Sequence, residues 1–238
     1  MENLLYQYNP WWENIVADKE IKPREKYLSV LRSYLDRKQI IILTGLRRVG
    51  KTTLMKLVLK ELIEKNIDAN RILYVSLDDY LLHKHSIAEI INEYRKIHKL
   101  RIEEKVFLFF DEVTYKDDFQ IQLKNIYDNQ NVKIFAASSS ASLLRDKKAS
   151  LSGRSLTVEI EPLDLDEYLY FNGITLKKRD SQLYKSYFLE YIKVGGLPEN
   201  VLNPNREYLM NLVDDIIQKD ITAFHGIKNH QLVRDYFT

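Results

Sequence analysis

Residues 40–53 read Ile-Ile-Ile-Leu-Thr-Gly-Leu-Arg-Arg-Val-Gly-Lys-Thr-Thr, an apolar run followed by two glycines, a lysine and two threonines. Its first four residues are continuously apolar and mostly β-branched, which is typical of a strand buried on both faces of a parallel sheet. Leu54, Val58 and Leu62 follow at helical spacing, so an amphipathic helix is predicted directly after the stretch. The segment between strand and helix must therefore turn the chain sharply, and it holds two of the seven glycines.

This turn has the form Gly45-x4-Gly50-Lys51-Thr52, which is the complete phosphate-loop (Walker A) pattern. Glycines at these positions let consecutive backbone N–H groups point inward around phosphate oxygens, and the start of the helix adds partial positive charge. Lys51 is placed to reach the β- and γ-phosphates, and the Thr52 hydroxyl to bind Mg²⁺. The other candidate nucleotide-binding residues of this segment are Arg47, Arg48, Val49 and Thr53.

A second strand ends in acidic residues. Residues 106–112 read Val-Phe-Leu-Phe-Phe-Asp-Glu, which is five apolar residues followed by two acids. Ligands of parallel α/β sheets sit at the carboxyl ends of the strands, so both acids are expected to face the phosphate loop. Asp111 is the candidate Mg²⁺ ligand (Walker B), and Glu112 is the candidate general base for an attacking water. The alternative is that the two acids only cap the next helix.

The adjacent acids also separate classes of reaction. Two carboxylates favour transfer of a phosphoryl group to water, whereas a small-molecule kinase more often uses a lone acid and an Arg-rich closing lid. The segment between the two motifs offers no such lid. Hydrolysis is therefore the favoured reaction, and a small-molecule kinase is the least favoured alternative.

The rest of the chain predicts a sheet followed by helices. Further strands are predicted at 72–77, 132–137 and 156–160, with a helix at 86–99. After Pro162 only helices are predicted, at 163–171, 181–194 and 206–221. The fold class is therefore α/β, with a parallel-sheet P-loop NTPase core at residues 1–161 and a small all-helical lid subdomain at residues 162–238.

Composition limits the class of protein. The 238 residues include 36 Lys or Arg and 34 Asp or Glu, and a balance of +2 does not support a dedicated nucleic-acid surface. Hydrophobic residues make up 45% of the chain, enough for a buried core. The absence of cysteine excludes disulfides and Cys-ligated zinc. No stretch suits a membrane span and the first thirty residues show no secretory leader, so a cytoplasmic location without membrane association is expected.

The phosphate loop, the strand ending in Asp-Glu and the helical appendage together resemble an AAA+-type ATPase. The chain is most similar to the archaeal and bacterial P-loop ATPases of the branch that includes the NB-ARC/STAND switch ATPases. The stretches that carry this resemblance are residues 9–12, 45–53, 74–79, 109–113, 151–154, 195–198 and 219–221. They are spread over essentially the whole chain. Relatives commonly continue into a further C-terminal domain, which leaves open whether the lid is truncated.

The resemblance implies further site residues. Pro23 and Arg24, before the first strand, would border the adenine, and Pro198 in the Gly-Leu-Pro turn would approach the base. From the residues alone, this turn is an ordinary helix stop. Relatives carry a polar sensor of the γ-phosphate after the fourth strand, within a Thr-Gly-Ser-Ser segment. Here that segment is Ala-Ser-Ser-Ser at 137–140, so Ser139 is the candidate sensor and Ser138 the alternative.

Three arginines have two interpretations each. Arg154, in a Ser-Gly-Arg turn, would stabilise charge on the transferring phosphoryl group, in its own or a neighbouring subunit. The alternative is a surface arginine after a turn. Arg47 and Arg48 would contact phosphate or an adjacent subunit, and a solvated position is the alternative.

The predicted function is Mg²⁺-dependent binding and hydrolysis of ATP to ADP, with the nucleotide cycle coupled to movement of the lid or of a partner. The competing hypothesis is an interaction switch that is gated by nucleotide and turns over negligibly. The altered sensor segment favours the switch, and Glu112 beside Asp111 favours hydrolysis. Self-association and a protein partner both stay open.

Overall fold

The computed structural model describes residues 1–15, 21–139, 151–177 and 180–216. The strands are β1 (Ile40–Thr44), β2 (Ile72–Ser76), β3 (Val106–Asp111), β4 (Val132–Ala137) and β5 (Ser155–Glu159). Within the described residues they form one five-stranded sheet in the order β2-β3-β4-β1-β5. Every neighbouring pair is parallel, which confirms the predicted α/β fold class.

Helices connect and follow these strands. They are α1 (Glu2–Tyr8), α2 (Glu25–Ser33), α3 (Lys51–Glu64), α4 (Ile87–Ile97), α5 (Phe119–Asn129), α6 (Leu165–Phe171), α7 (Ser181–Val194), α8 (Pro198–Leu202) and α9 (Arg206–Asp215). The later part of the helix predicted at 206–221, and with it the stretch 219–221, lies outside the described residues. None of the helices in the described ranges is long and apolar enough to cross a membrane.

The chain divides into two compact units. The first unit comprises Met1–Thr44 and Lys51–Glu159 and contains the sheet. The second unit comprises Gly45–Gly50 and the described residues after Glu159, and α6 to α9 belong to it. The phosphate-loop residues therefore group with the helical part, although the chain enters the loop from β1 and leaves it into α3.

The core of the first unit is built on the central strands. Every residue of β1, β3 and β4 is buried, as expected for continuous apolar runs in a parallel sheet covered on both faces. Phe109 and Phe135 stack with their ring centroids 4.9 Å apart. In the edge strand β5 only Val158 is buried, which matches its alternating sequence.

The N-terminal arm, residues 1–15, covers the other edge of the sheet. The Asn9 side chain accepts a hydrogen bond from the Tyr74 backbone N–H at 2.7 Å and donates one to the Tyr74 carbonyl at 2.9 Å. The Trp12 indole donates to the Ile72 carbonyl at 2.9 Å. The outward-facing backbone groups of β2 therefore find partners, which an open edge strand would lack.

The second unit has its own small core. Asp164 and Glu167 form a capping box, with Glu167 N–H donating to the Asp164 carboxylate at 2.9 Å, and this fixes the start of α6. The buried residues of this core are Leu163, Tyr168, Leu169, Phe171 and Val201. Tyr191 of α7 packs against it and donates its hydroxyl proton to the Leu163 carbonyl at 2.9 Å. Among its described residues, the regular elements of this unit are therefore helices.

Candidate functional site

The phosphate loop requires glycine at its first position. Gly45 has φ +138°, and a Cβ there would lie 2.1 Å from the Ile160 carbonyl oxygen. Gly50 also has a positive φ, of +99°, a region that side chains with a Cβ rarely adopt. Val49, between them, is fully buried and anchors the loop. The spacing of the two glycines therefore follows from backbone geometry that other residues would strain.

Lys51 and Thr52 begin α3, directly after the loop. Lys51 is only 5% exposed although it carries a charge, and its Nζ donates to the Ser139 hydroxyl at 3.2 Å. The Thr52 hydroxyl donates to Asp111 Oδ2 at 2.5 Å, while Thr53 is half-buried beside it. The structure thus brings Lys51 and Thr52 together with residues at or just after the ends of β3 and β4, inside the first unit.

Asp111 is the last residue of β3 and is 4% exposed. Its Oδ2 accepts from Thr52 and, at 3.1 Å, from the Tyr74 hydroxyl. Its Oδ1 accepts the Glu112 backbone N–H at 3.1 Å. The carboxylate is therefore held in one orientation by donors on three elements or segments.

These residues fit a magnesium ion. A carboxylate and a hydroxyl lie side by side at the carboxyl end of β3, and oxygen atoms are the ligands that Mg²⁺ prefers. Mg²⁺ at such sites is usually held by one or two protein groups together with phosphates and waters. Thr52 and Asp111 are the two residues that would hold it.

Glu112 adopts an unusual backbone conformation. Its φ and ψ are 47° and 46°, the left-handed region, which costs a residue with a Cβ on the order of 1–2 kcal/mol. Its side chain turns toward Ser139, whose hydroxyl donates to Oε1 at 2.6 Å and whose backbone N–H donates to Oε2 at 3.3 Å. Such conformations concentrate at functional sites, where the surroundings hold them.

Ser139 connects the lysine to the glutamate. Its hydroxyl accepts from Lys51 and donates to Glu112, so one oxygen touches both candidate groups. Ser138 is fully buried and its hydroxyl lies 2.9 Å from the Thr114 hydroxyl instead. Ser140, the last residue of the predicted sensor segment, lies outside the described residues.

Arg48 has partners that sequence reasoning missed. It lies in the loop with φ +68°, and its guanidinium donates to the Glu199 carboxylate at 3.1 Å. The Tyr208 hydroxyl donates to the same carboxylate oxygen at 2.8 Å, and the Tyr208 ring lies 5.9 Å from the guanidinium carbon. All three residues belong to the second unit. Arg47 is half-buried in the same loop.

Arg154 is not brought together with the candidate catalytic residues of its own chain. It directly precedes β5, at the amino end of that strand, whereas Lys51, Asp111 and Glu112 follow the carboxyl ends of β1 and β3. Five residues of strand span roughly 17 Å. The Arg154 guanidinium instead pairs with the Asp128 carboxylate at 2.9 Å. The pKa of Asp128 is lowered by this hydrogen bond.

The residues assigned to the adenine have the following places. Arg24 is buried in the first unit, with its guanidinium 4.6 Å from the centre of the Tyr27 ring, and Pro23 precedes it half-buried. Pro198 is the first residue of α8 in the second unit and is half-buried. Their contact with an adenine stays a prediction that rests on the resemblance.

Residues 37–169 match the AAA domain family, which is more than half of the chain. The chain belongs to the AAA domain family. It is therefore a nucleotide-binding domain of the P-loop ATPase class, and ATP and ADP are the ligands that this membership implies. The two motifs that the family match includes, the phosphate loop and the acidic end of β3, are the ones whose side chains meet in the structure.

Curated relatives of this AAA domain are uncharacterized proteins. Two from Methanocaldococcus jannaschii are 31% identical over 78% of this chain and 44% of the relative, and 33% identical over 92% and 50%. One from Haemophilus influenzae is 26% identical over 91% of this chain and 54% of its own length. The chain thus spans about half the length of the curated relatives it matches.

A solved structure is also similar to the AAA domain. The AMPPCP-bound DnaA from Aquifex aeolicus matches with a TM-score of 0.45 and 19% identity, over 93% of this chain and 79% of that chain. A similarity of this size carries no inference about function.

Proposed function

We propose that this AAA domain binds ATP with Mg²⁺ and hydrolyses it to ADP and phosphate. The observation that carries the proposal is the chain of contacts from Lys51 through Ser139 to Glu112. It joins the residue expected to bind phosphate to the residue expected to act on water. Glu112 directly precedes the short 3-10 helix Val113–Tyr115 but makes no side-chain capping hydrogen bond to it, so capping does not account for the position of its carboxylate.

The proposed reaction is the attack of water on the γ-phosphorus. Glu112 orients this water and accepts one of its protons while the new O–P bond forms. The bond from the γ-phosphorus to the β–γ bridging oxygen breaks, and the electron pair stays on ADP. Lys51 stabilises the negative charge that builds up on the phosphate oxygens, which is where most of the rate acceleration arises in phosphoryl transfer.

Thr52 and Asp111 would hold the magnesium ion. When bound, the ion neutralises charge on the β- and γ-phosphate oxygens. The Thr52 hydroxyl already donates its proton to Asp111, so the lone pairs of its oxygen stay available for a cation. The two residues therefore support a metal role without rearrangement of their hydrogen bond.

We propose that nucleotide occupancy is coupled to the helices α8 and α9 of the second unit through Arg48. The contacts of Arg48 with Glu199 and Tyr208 link the phosphate loop to α8 and α9 inside the second unit. Phosphate oxygens would compete with Glu199 for the guanidinium. The side chains of the pair are 58% and 53% exposed, and ion pairs this exposed are weak enough to exchange partners.

Arg154 is proposed to act on the nucleotide of a neighbouring subunit. Arg154 lies at the amino end of β5, far from Lys51, Asp111 and Glu112 of its own chain. A catalytic role for Arg154 would therefore require self-association. The pair with Asp128 supports the structural alternative equally. A cytoplasmic location and membership in the NB-ARC/STAND branch are part of the same proposal and rest on the sequence.

A nucleotide-gated switch with negligible turnover is the second candidate. It is favoured by Ala137, which replaces the first polar residue of the sensor segment, and by the engagement of both Glu112 carboxylate oxygens with Ser139. The two hydrogen bonds from Ser139 leave fewer carboxylate lone pairs for an attacking water.

Phosphate release from Mg²⁺-ATP separates the two candidates. Glu112→Gln should lower the steady-state rate by about 10²- to 10⁴-fold, the usual contribution of a general base, with nucleotide affinity retained. Glu64→Gln, an exposed glutamate at the end of α3, is the matched control and should keep the rate. If the wild-type protein binds ATP but releases no phosphate, the result supports the switch. If the wild-type protein does not bind ATP, the result contradicts both candidate functions.

Protein concentration in the same assay tests Arg154. A specific rate that rises with concentration, and that falls in Arg154→Ala while nucleotide affinity stays, supports action between subunits. Turnover that Arg154→Ala leaves unchanged assigns the arginine to its ion pair with Asp128.

A further inference from the structure

Tyr74 contacts the Walker B carboxylate from the neighbouring strand. It lies in β2 and is 4% exposed. Its hydroxyl donates to Asp111 Oδ2 at 3.1 Å. A tyrosine hydroxyl carries its proton at neutral pH, so it is a hydrogen-bond donor to the carboxylate here.

The other donors to Asp111 do not replace Tyr74. Thr52 donates to the same oxygen, but it is itself a proposed metal ligand. The Glu112 N–H donates to Oδ1 and belongs to the adjacent peptide. Among the described residues, Tyr74 is thus a donor that comes from outside both motifs and can orient the carboxylate without binding the metal.

Tyr74 is in turn fixed by the N-terminal arm. The Asn9 side chain, fully buried, bonds both the N–H and the carbonyl of Tyr74. Its amide also donates to the Leu5 carbonyl at 2.7 Å, which ties the contact to α1. One side chain of the arm therefore sets the backbone position of the residue that orients Asp111.

We propose that Tyr74 is a positioning residue for Asp111, and that Asn9 positions Tyr74, so that the N-terminal arm helps to set the magnesium site. This inference rests on the proposed binding of Mg²⁺-ATP. Residues that orient a metal ligand are typically worth 10- to 100-fold in metal affinity. The role predicts an effect on the magnesium requirement and little effect on nucleotide binding without the metal.

Tyr74→Phe tests this role because it removes the hydroxyl and keeps the ring. A fluorescent ATP analogue is titrated onto the full chain at increasing Mg²⁺ concentrations and in EDTA. The Mg²⁺ concentration that half-maximally tightens binding should rise about 10-fold in the variant. Affinity in EDTA should stay within twofold of the wild type.

Tyr94→Phe is the matched control. Tyr94 is likewise a buried tyrosine of the first unit, and its hydroxyl donates to the Asn70 carbonyl at 2.8 Å, away from Asp111. Tyr94→Phe, like Tyr74→Phe, removes one phenol hydroxyl and one hydrogen bond, so the two variants should lose similar amounts of folding stability. An unchanged magnesium requirement in Tyr74→Phe, or the same shift in Tyr94→Phe, overturns the inference. A wild type whose nucleotide binding does not respond to Mg²⁺ overturns the proposed magnesium function, and the inference with it.

Asn9→Ala tests the second step. It should raise the magnesium requirement, and the effect should not add to that of Tyr74→Phe, because both act through one hydroxyl. Additive effects would show that Asn9 does not act through Tyr74. If Asn9→Ala does not fold, Asn9→Ser is combined with Tyr74→Phe in the same double-mutant comparison. The result for Tyr74→Phe alone does not depend on either Asn9 variant.

Discussion

The Lys51 amine and the Ser139 hydroxyl lie 3.2 Å apart, inside the first unit. A buried ammonium group needs partners, and here one partner is an oxygen that also donates to Glu112. A phosphate that binds Lys51 would therefore compete for the lysine with Ser139. The binding of nucleotide at Lys51 would then change the hydrogen bonding of Glu112 through this one hydroxyl.

Lys51→Ala should weaken binding of the triphosphate sharply. Hydrogen bonds to charged groups are worth about 1.5–3 kcal/mol, which corresponds to roughly 10- to 150-fold in the dissociation constant. Calorimetric titration with a slowly hydrolysed ATP analogue measures the loss. Lys60→Ala, on the exposed side of the same helix, should bind like the wild type. If Lys51→Ala binds the ATP analogue as tightly as the wild type, the result contradicts the assignment of residues 45–52 as a phosphate loop.

Ser139→Ala should lower phosphate release about tenfold, the effect of losing one hydrogen bond of about 1.4 kcal/mol in the transition state. ADP affinity should hardly change, because ADP has no γ-phosphate to sense. Ser138→Ala is the direct comparison, since its hydroxyl lies against Thr114. A larger loss in Ser138→Ala than in Ser139→Ala would transfer the sensor role to Ser138.

Glu199→Gln should tighten triphosphate binding by about two- to fivefold. The exposed pair with Arg48 contributes no more than about 1 kcal/mol, and neutralising the glutamate frees the guanidinium for phosphate. The dissociation rate of a fluorescent nucleotide, measured by stopped flow, reports the change. Glu207→Gln, an exposed glutamate of α9, should have no effect. Weaker binding in Glu199→Gln would contradict the proposed competition.

His98 should make stability depend on pH. Its ring packs edge-on against Trp12 at 4.3 Å, and its buried Nε2 finds no hydrogen-bond partner in the described part of the chain. Burial lowers the pKa of His98, so the unfolded state binds the proton more tightly. Its contribution to stability is therefore full above the unfolded pKa of about 6.5 and decreases as the pH falls below it.

Thermal unfolding at pH 7.5 and 5.5 measures this effect. The wild type should lose more stability between these values than His98→Phe, which keeps a ring and cannot titrate. Other titrating groups act in both proteins, so their contributions cancel in the comparison. Equal losses would show that the arm packs on α4 without regard to the charge of His98.

The sequence predicted the parts of the molecule that local patterns encode. Continuous β-branched runs such as Ile40–Leu43 suit strands buried on both faces, and the strands lie within one or two residues of their predicted positions. The phosphate loop has a fixed internal spacing because its backbone needs glycine at two positions, and the acidic strand end stands out because two acids follow a continuous apolar run. The meeting of Thr52 with Asp111 follows from these two motifs.

Contacts between distant residues carry no such pattern. Glu199 lies 151 residues from Arg48, and Tyr74 lies 37 residues from Asp111, so no spacing rule connects them. For Arg154 the sequence does carry a signal of its position. A residue just before a strand of a parallel sheet lies at its amino end, and the strand after Arg154 was itself predicted.

The family match begins at residue 37, well after the arm that pairs with β2. A fragment cut at that point would carry both nucleotide motifs and would still lack Asn9 and Trp12. The backbone groups of Ile72 and Tyr74 would then be exposed and could pair with a strand of another molecule. At high concentration, a second copy of the fragment would provide such a strand. A protein expressed for study should therefore include residues 1–15. A fragment that begins where the family match begins would expose the edge of the sheet at β2, and exposed strand edges promote aggregation.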